Sequence, residues 1–178
     1  LQIACVAMGA TASRAAGRII EGIVMTDKMS IAIAAGGTAG HVNPALALAD
    51  ELASRGHDVR FFGETRRLEG KLVPEAGFDF FPVEVTGFDR ARPWTLITAL
   101  AHLSREERRL VRTFKENPAL KPDVAIGFGA YVELPLVRAA AKLGIPVVLH
   151  EQNSVPGLAN KQSAKVASLV AIAQPSVR

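Results

Sequence analysis

From residue 30 onward, short and almost entirely apolar runs alternate with segments of helical periodicity, and this alternation limits the possible folds. Apolar runs of four to eight residues bounded by glycine or proline are typical of buried strands. The predicted strands are 30–35, 58–62, 78–85, 123–126, 145–149 and 169–173, and the predicted helices are 44–55, 69–76, 94–117, 134–143 and 159–166. Apolar strands separated by helices indicate a parallel sheet covered on both faces. We therefore predict an α/β fold, a Rossmann-like doubly wound parallel sheet.

Composition narrows the classes of function. The 178 residues include 49% hydrophobic and 21% charged residues, as in a single folded domain. The net charge of +4 favours an anionic partner, such as nucleic acid, anionic lipid or a phosphorylated metabolite, but only 6% of residues are aromatic, which is few for a single-strand nucleic-acid groove built on stacking, and we expect no nucleic-acid partner. No run reaches the roughly 20 apolar residues needed to span a bilayer, so we expect any membrane contact to be peripheral. Cys5 has no second cysteine to pair with, which fits a reducing cytoplasm.

The first segment differs from the rest of the chain. Residues 1–24 are rich in alanine and glycine without a clear period, and 25–29 resembles a natural start. A signal peptide is an alternative. In a signal peptide, however, basic residues precede the apolar stretch, whereas here Arg14 and Arg18 follow it. We predict that 1–29 is an extension outside the fold and that one domain covers 30–178.

Glycine-rich loops follow the first and fourth predicted strands and precede helices. In open parallel sheets, ligands bind at the carboxyl ends of strands, and a helix N-terminus there favours a phosphate. The sequence predicts that these two loops lie together and hold a phosphate or diphosphate, through Gly37, Thr38, Ala39, Gly40, Gly127, Gly129 and Tyr131. The alternative is a tight turn without a ligand. Neither loop is a Walker or dinucleotide motif, and Glu64 is only a weak candidate for holding a ribose.

The candidate catalytic residue is His41, where the first loop meets its helix. A histidine there could take a proton from an attacking hydroxyl. The alternative is a histidine that only caps the helix or forms a hydrogen bond. We expect His57 to lie in a turn and His102 on the surface.

Polar residues 150–153 follow the fifth predicted strand. We predict that Glu151, Gln152 and Asn153 bind substrate, since an amide that both donates and accepts suits a sugar. The alternatives are a helix cap or buried hydrogen bonds that pin the loop. No second histidine or cysteine lies at metal-ligand spacing, so we expect no metal and no cofactor.

A basic and apolar patch leads into the long predicted helix. We predict a membrane-facing patch formed by Arg90, Arg92, Trp94, Ile97, Arg105, Arg108 and Arg109. An exposed tryptophan beside arginines suits an anionic membrane surface. The opposite, core face is predicted to carry Leu96, Leu100, Leu103, Leu110 and Phe114. The alternative is a solvated basic face that Glu106 and Glu107 partly neutralise.

Three segments in this order resemble the MurG family of glycosyltransferases: 36–44 (GGTAGHVNP), 127–131 (GFGAY) and 150–157 (HEQNSVPG). The resemblance covers about residues 30–178. Family members transfer N-acetylglucosamine from UDP-N-acetylglucosamine to lipid I, undecaprenyl-diphosphoryl-N-acetylmuramoyl-pentapeptide, with inversion and without a metal. The product is lipid II of peptidoglycan synthesis.

The resemblance further implies the two-domain GT-B architecture, with acceptor and donor domains on either side of a cleft. This chain would be the acceptor-binding half at the cytoplasmic face of the bacterial inner membrane, where other cell-wall synthesis proteins are further expected partners. Without a donor half, we expect no catalysis by this chain alone. The alternatives are another GT-B enzyme with a lipid acceptor, or a non-catalytic phosphate- or nucleotide-binding domain.

The resemblance also assigns roles to individual residues. Thr38, Ala39 and Gly40 match the loop that touches the donor and the acceptor diphosphate. His41 matches the loop histidine, and Asn153 matches an asparagine that contacts the donor. The patch near Trp94 matches the region that meets the membrane. Two positions depart from the family, because alanine stands at 39 and 130 where glycine is common, so both turns must accommodate a methyl group.

Overall fold

The computed structural model describes residues 4–7 (backbone only), 28–87, 91–92 and 94–173, which form a seven-stranded sheet with five α-helices. The strands are β1 (Ala4–Ala7), β2 (Ser30–Ala34), β3 (Asp58–Gly63), β4 (Asp79–Pro82), β5 (Val124–Gly127), β6 (Val147–Glu151) and β7 (Leu169–Ile172). The helices are α1 (Ala39–Ser54), α2 (Glu69–Glu75), α3 (Thr95–Glu116), α4 (Glu133–Lys142) and α5 (Leu158–Ser163), with a 3-10 turn at Pro118–Leu120. Every strand and helix predicted from residue 30 onward is present, so the predicted α/β class is confirmed.

The strand order is β1-β7-β6-β5-β2-β3-β4, and all pairs from β2 to β7 are parallel. The chain runs outward from β2 through β3 and β4, then returns to β5 on the other side of β2. Ala34 and Gly127 are therefore partners across the sheet, and the N–H of Phe128 donates to the carbonyl of Ala34 at 2.9 Å. The carboxyl ends of β2 and β5 adjoin where the strand order reverses, which is where sheets of this kind bind ligands.

Strand β2 shows why both faces of the sheet are covered. Ile31 and Ile33 lie in the apolar cluster beneath α1 and α2, whereas Ala32 and Ala34 lie in the cluster formed with α3 and α4. All four side chains are at most 2% exposed. A strand buried on both faces needs apolar residues at every position, which explains the continuous apolar runs in the sequence.

Helix α1 begins five residues earlier than predicted, at Ala39 instead of Pro44. The prediction placed Pro44 in the first turn, where proline is favoured. In the structure Pro44 lies in the second turn, where its missing N–H leaves only the Gly40 carbonyl without a helical donor. Thr38 is the extended residue that precedes the helix. Ala39 and Gly40 therefore belong to the helix N-terminus and not to a loop.

Strand β1 differs from the prediction that residues 1–29 lie outside the fold. Ala4–Ala7 pair antiparallel with β7, with Ala4 opposite Ile172 and Ala7 opposite Leu169. The pairing covers the edge that β7 would otherwise expose. Residues 8–27 lie outside the described part of the chain, so the domain start near residue 30 stays a prediction.

The core face of α3 is shorter than predicted. Leu103, Leu110 and Phe114 are at most 2% exposed, but Leu96 and Leu100 are 40% and 45% exposed. The reason is the length of the partner helix, because α3 has 22 residues and α4 has 10. Leu103 packs with Leu134 near the start of α4, and in the turns of α3 that precede Leu103 only the small Ala99 is buried.

This difference between neighbouring leucines can be measured on one helix. Leu103→Ala should lower the free energy of unfolding by about 2–5 kcal/mol, because it opens a cavity in the core. Leu100→Ala is the matched control and should cost less than about 1 kcal/mol, since this side chain is 45% exposed. Urea denaturation of both variants gives the comparison. Equal losses would contradict the boundary of the core face.

Candidate functional site

The loops after β2 and β5 lie side by side at the carboxyl edge of the sheet. A Cβ atom placed on Gly129 would lie 3.1 Å from Cδ2 and 3.2 Å from Nε2 of His41, so the histidine ring packs against the glycine backbone. A Cβ atom on Gly37 would lie 3.9 Å from that of Ala130. The prediction that the two glycine-rich loops lie together is confirmed.

A buried carboxylate supports the first loop from below. Glu69, at the start of α2, is 1% exposed. Its Oε2 accepts the N–H of Gly37 at 3.1 Å, and its Oε1 accepts the N–H of Glu64 at 3.2 Å. A Cβ atom on Gly36 would overlap this carboxylate, so only glycine allows the close approach. The Gly37 N–H is therefore directed into the protein.

The second loop is supported in the same way. Glu133, the first residue of α4, is 0% exposed. Its Oε2 accepts the N–H of Gly129 at 2.7 Å, and its Oε1 accepts the hydroxyl proton of Ser163 at 2.8 Å. A Cβ atom on Gly127 would overlap the Glu133 carboxylate. Gly127 and Gly129 thus shape this loop around a buried acid, and the Gly129 N–H also points inward.

Ala39 and Ala130 stand where glycine is common in the family, and their methyl groups are accommodated in different ways. Ala39 stands at the first position of α1, where alanine is favoured. Ala130 has φ of 68° and follows Gly129 with φ of 84°, so both residues are left-handed. This conformation costs alanine about 1–2 kcal/mol. Ala130 is the one described residue other than glycine with a positive φ, and such strain is concentrated at functional sites.

The third loop, after β6, is organised around Glu151. This residue is 2% exposed, and Oε1 accepts both the backbone N–H and the side-chain Nδ2–H of Asn153, at 2.8 and 2.9 Å. Oε2 accepts the N–H of Gly157 at 3.1 Å and the Nδ2–H of Asn160 at 2.8 Å. Burial raises the pKa of Glu151, but the donated hydrogen bonds outweigh burial and leave the pKa below its ordinary value. The carboxylate is engaged in pinning the loop, as in the alternative interpretation.

Neighbouring side chains connect the third loop to the second. Gln152 Nε2 donates to the carbonyl of Phe128 at 3.4 Å, and its Oε1 lies 3.3 Å from His150 Nδ1. Burial lowers the pKa of His150, although hydrogen bonding to Gln152 opposes this shift. Asn153 is exposed at the same edge, with one amide hydrogen directed to Glu151. Within the described residues, no group of three or more histidine, cysteine, aspartate or glutamate residues is arranged to hold a metal ion.

His41 is the described histidine that faces both glycine-rich loops. Its Nδ1 lies 2.8 Å from the hydroxyl oxygen of Thr38, which fixes the ring, and its Nε2 lies beside Gly129. Burial lowers the pKa of His41, while the charge of Glu151 opposes the shift. The lowered pKa therefore favours the neutral imidazole. When Nδ1–H donates to Thr38, Nε2 carries the lone pair and can accept a proton.

The N-terminus of α1 supplies free donors to the site. The first N–H groups of a helix have no acceptor within the helix, and the hydroxyl of Thr38 does not cap them. Ala39 and Gly40 are exposed, and their N–H groups donate to no acceptor among the described residues. Together with the helix dipole, they form a site suited to a phosphate.

Tyr131 has a different environment from the other loop residues. It is half-buried and packs against the cluster of Leu103, Leu134 and Ala159. The ring thus joins the second loop to helices α3, α4 and α5. Contact between Tyr131 and a substrate stays a prediction.

The patch near the start of α3 is exposed. Trp94 and Ile97 are 65% and 72% exposed. Arg105 and Arg108 form no ion pair with described residues, whereas Arg109 pairs with Glu106 at 2.7 Å. Glu107 pairs with Arg138 and Lys142 of α4, so the two acids neutralise Arg109 but not Arg105 or Arg108.

Two further arginines were predicted to belong to this patch. Arg92 is exposed, and Arg90 lies outside the described residues. No helix in the described part of the chain combines the length and apolarity required to span a bilayer.

The sequence prediction missed the buried supports Glu69, Glu133, Asn160 and Ser163. One signal was present for Glu133, because it stands inside the apolar run 132–137 at a helix start. A charged residue in such a run must find polar partners once it is buried. Glu69 begins a predicted helix, where an acid is ordinary, and nothing in its sequence context distinguishes it.

The fold and the site define the class of protein. It is a parallel α/β domain in which a helix N-terminus suited to a phosphate lies where the strand order reverses. Residues 31–172 match the glycosyltransferase family 28 N-terminal domain. The chain belongs to this family, and the resemblance inferred from the sequence is confirmed.

Named relatives agree with this assignment. The chain is 42% identical over 146 residues to the UDP-N-acetylglucosamine–N-acetylmuramyl-(pentapeptide) pyrophosphoryl-undecaprenol N-acetylglucosamine transferase of Halalkalibacterium halodurans, covering 81% of this chain and 39% of that protein. It is also 42% identical over 147 residues to the transferase of the same name from Halothermothrix orenii, covering 81% and 38%. The crystal structure of Acinetobacter baumannii MurG matches with a TM-score of 0.69 and 32% identity, over 84% of this chain and 43% of that one. The chain thus spans about two fifths of the length of these relatives.

The buried acid of the second loop makes stability depend on pH. Burial raises the pKa of Glu133 from 4.5 to about 7, although hydrogen bonds from Ser163 and Gly129 oppose the shift. A carboxyl pKa raised by folding means that the protein loses stability as the pH rises from about 4.5 to about 7. Glu133→Gln removes this loss, so its stability relative to wild type should increase by up to about 3 kcal/mol between pH 4.5 and pH 8.

Urea denaturation of wild type and Glu133→Gln at both pH values measures the change. Glu75→Gln is the matched control, because Glu75 is an exposed acid outside the loops. A stability difference between wild type and Glu133→Gln that stays constant with pH would contradict the account.

Proposed function

We propose that this chain is the acceptor-binding half of an inverting GT-B glycosyltransferase that acts in peptidoglycan synthesis. The complete enzyme would transfer N-acetylglucosamine from UDP-N-acetylglucosamine to lipid I and release lipid II and UDP. The observation that carries the proposal is the free N-terminus of α1 beside His41, at the junction of the two glycine-rich loops. The names of the two relatives given above supply the reaction and its substrates.

The acceptor's diphosphate is assigned to the N–H groups of Ala39 and Gly40. These two donors are exposed and unpaired among the described residues, and the positive end of the helix dipole adds to the attraction. Gly37 and Gly129 are assigned a different role, because their N–H groups already donate to Glu69 and Glu133. They shape the loops instead of holding the ligand.

His41 is assigned as the base. The acceptor hydroxyl would attack the anomeric carbon of the donor sugar while Nε2 of His41 takes its proton, and UDP would leave from the opposite face with the bonding electrons. Attack opposite to the leaving group inverts the configuration at that carbon. The lowered pKa of His41 supports this role, because a base must be unprotonated before the reaction.

The third loop is assigned to the donor side of the cleft. Asn153 is exposed at the same edge, and its carbonyl oxygen is free to accept while its amide is oriented by Glu151. Gln152 joins this loop to the second one. Glu151 is assigned a positioning role, since both of its oxygens are engaged inside the loop.

Peripheral attachment to the cytoplasmic face of the bacterial inner membrane is the second part of the proposal. Trp94, Ile97, Arg105 and Arg108 lie on one stripe of α3 and its N-terminal flank, by the helical spacing of 100° per residue. An exposed tryptophan and isoleucine would enter the interface, and the unpaired arginines would meet anionic lipid. A lipid-linked acceptor requires such proximity to the bilayer.

Removing one backbone donor tests the diphosphate site. Ala39→Pro deletes an N–H at the first helical position, where proline is tolerated and the extended Thr38 suits a following proline. Binding of a soluble short-prenyl analogue of lipid I should weaken about tenfold, measured by isothermal titration calorimetry. The control Ala39→Gly keeps the N–H and should bind as wild type does. Failure of the wild-type chain to bind the analogue would refute the proposed function.

Vesicle binding tests the patch. The chain should sediment with phosphatidylglycerol vesicles at low salt and much less with phosphatidylcholine vesicles. Trp94→Ala and Arg108→Ala should each reduce the bound fraction, with a loss in affinity of about fivefold for the arginine. Arg55→Ala removes an exposed cation at the residue that follows α1 and serves as the control. Unchanged binding by both patch variants would reject the membrane assignment.

A further inference from the structure

A groove lies beside the first glycine-rich loop at the same edge of the sheet. It is bounded by residues 64–66 after β3, by residues 82–86 at the end of β4 and beyond it, and by His102 of α3. Its volume is about 410 Å³, within the range of sites that bind small ligands. The roles proposed above for the loops and the α3 patch leave this groove without a ligand.

The wall of the groove is preformed. The N–H of Val83 donates to the carbonyl of Gly63 at 2.8 Å, and Val83 is 2% exposed. The N–H of Glu84 donates to Glu106 at 3.3 Å, and Arg109 donates to the carbonyl of Pro82 at 2.7 Å. Helix α3 therefore holds the segment after β4 in place before any ligand binds.

Beyond Val83, the segments that follow β3 and β4 separate, and backbone groups of the second segment are left unpaired. The N–H groups of Val85 and Thr86 donate to no acceptor among the described residues, and these residues belong to no strand. A segment with free backbone donors can pair with an extended peptide, as in strand addition. The hydroxyl groups of Thr65 and Thr86 add further polar contacts within the same groove.

One cation in the lining of the groove is free to bind a carboxylate. Arg66 is exposed and has no ion-pair partner among the described residues. Glu64 is already paired with Arg67 at 3.2 Å, whereas Glu84 is exposed and His102 is an exposed imidazole. Arg66 is thus the unpaired permanent cation of the lining, and guanidinium groups bind carboxylates with two parallel hydrogen bonds.

The groove is joined to the diphosphate site by one side chain. Glu69 accepts the N–H of Gly37 with one oxygen and the N–H of Glu64 with the other. The floor of the groove and the first loop are therefore fixed relative to each other by a single buried carboxylate.

From these observations we propose that the groove binds the pentapeptide arm of the acceptor, with Arg66 holding its C-terminal carboxylate. This inference rests on the proposed function, because the pentapeptide is part of the relatives' acceptor. A peptide joined to a sugar through its amino end keeps one free terminal carboxylate. Five extended residues can reach about 17 Å from the anchored sugar.

The test compares two soluble acceptor analogues that differ only in the peptide. One is a short-prenyl diphosphate of N-acetylmuramyl-pentapeptide, and the other carries N-acetylmuramic acid without the peptide. Isothermal titration calorimetry should show that the wild-type chain binds the first about tenfold more tightly. Arg66→Ala should remove this preference and leave the affinity for the peptide-free analogue unchanged, and Arg66→Lys should retain part of it.

A matched control and the possible outcomes make the test specific. Lys71→Ala removes an exposed cation of α2 outside the groove and should preserve the preference. Equal binding of both analogues by the wild type would overturn this inference while leaving the proposed function intact. A preserved preference in Arg66→Ala would overturn the assignment of the carboxylate to Arg66. Binding of neither analogue would overturn the proposed function and this inference together.

Discussion

Buried carboxylates that accept backbone N–H groups determine the geometry of the whole site. An ionised or unpaired acid in the interior is costly, so Glu69, Glu133 and Glu151 persist only because each accepts two or more hydrogen bonds. These bonds direct the N–H groups of Gly37 and Gly129 inward. Among the described residues, the N–H groups of Ala39 and Gly40 at the start of α1 remain free. The ligand site is therefore ascribed to amides that the buried acids have not taken.

The same arrangement explains why glycine is required at some positions and alanine is accepted at others. Gly36 and Gly127 lie against carboxylates and have no room for a methyl group. Ala39 is helical and Ala130 accepts a left-handed conformation. Glu69 also fixes the neighbouring groove. One set of buried hydrogen bonds therefore determines the shape of the loop, the binding of the anion and the geometry of the groove. Membrane contact, in contrast, depends on the exposed side chains of α3.

The sequence predicted the fold well because apolar runs and helical periods are local properties. It also placed the two glycine-rich loops together, since strand order in doubly wound sheets brings them to one edge. It misjudged Leu96 and Leu100, because their burial depends on where α4 begins and not on the pattern of α3 itself. Glu69 and Glu133 were missed for the same reason, as their partners Gly37 and Ser163 lie about thirty residues away.

The central claim is that an anion is held by free amides at the start of α1 and not by amides that already donate to buried acids. Titration of the ¹⁵N-labelled chain with a short-chain prenyl diphosphate, followed by NMR, tests it residue by residue. The account predicts the largest amide shifts at Ala39 and Gly40, with smaller shifts at Gly37 and Gly129. Largest shifts at Gly37 and Gly129, or no shift at the start of α1, would contradict it.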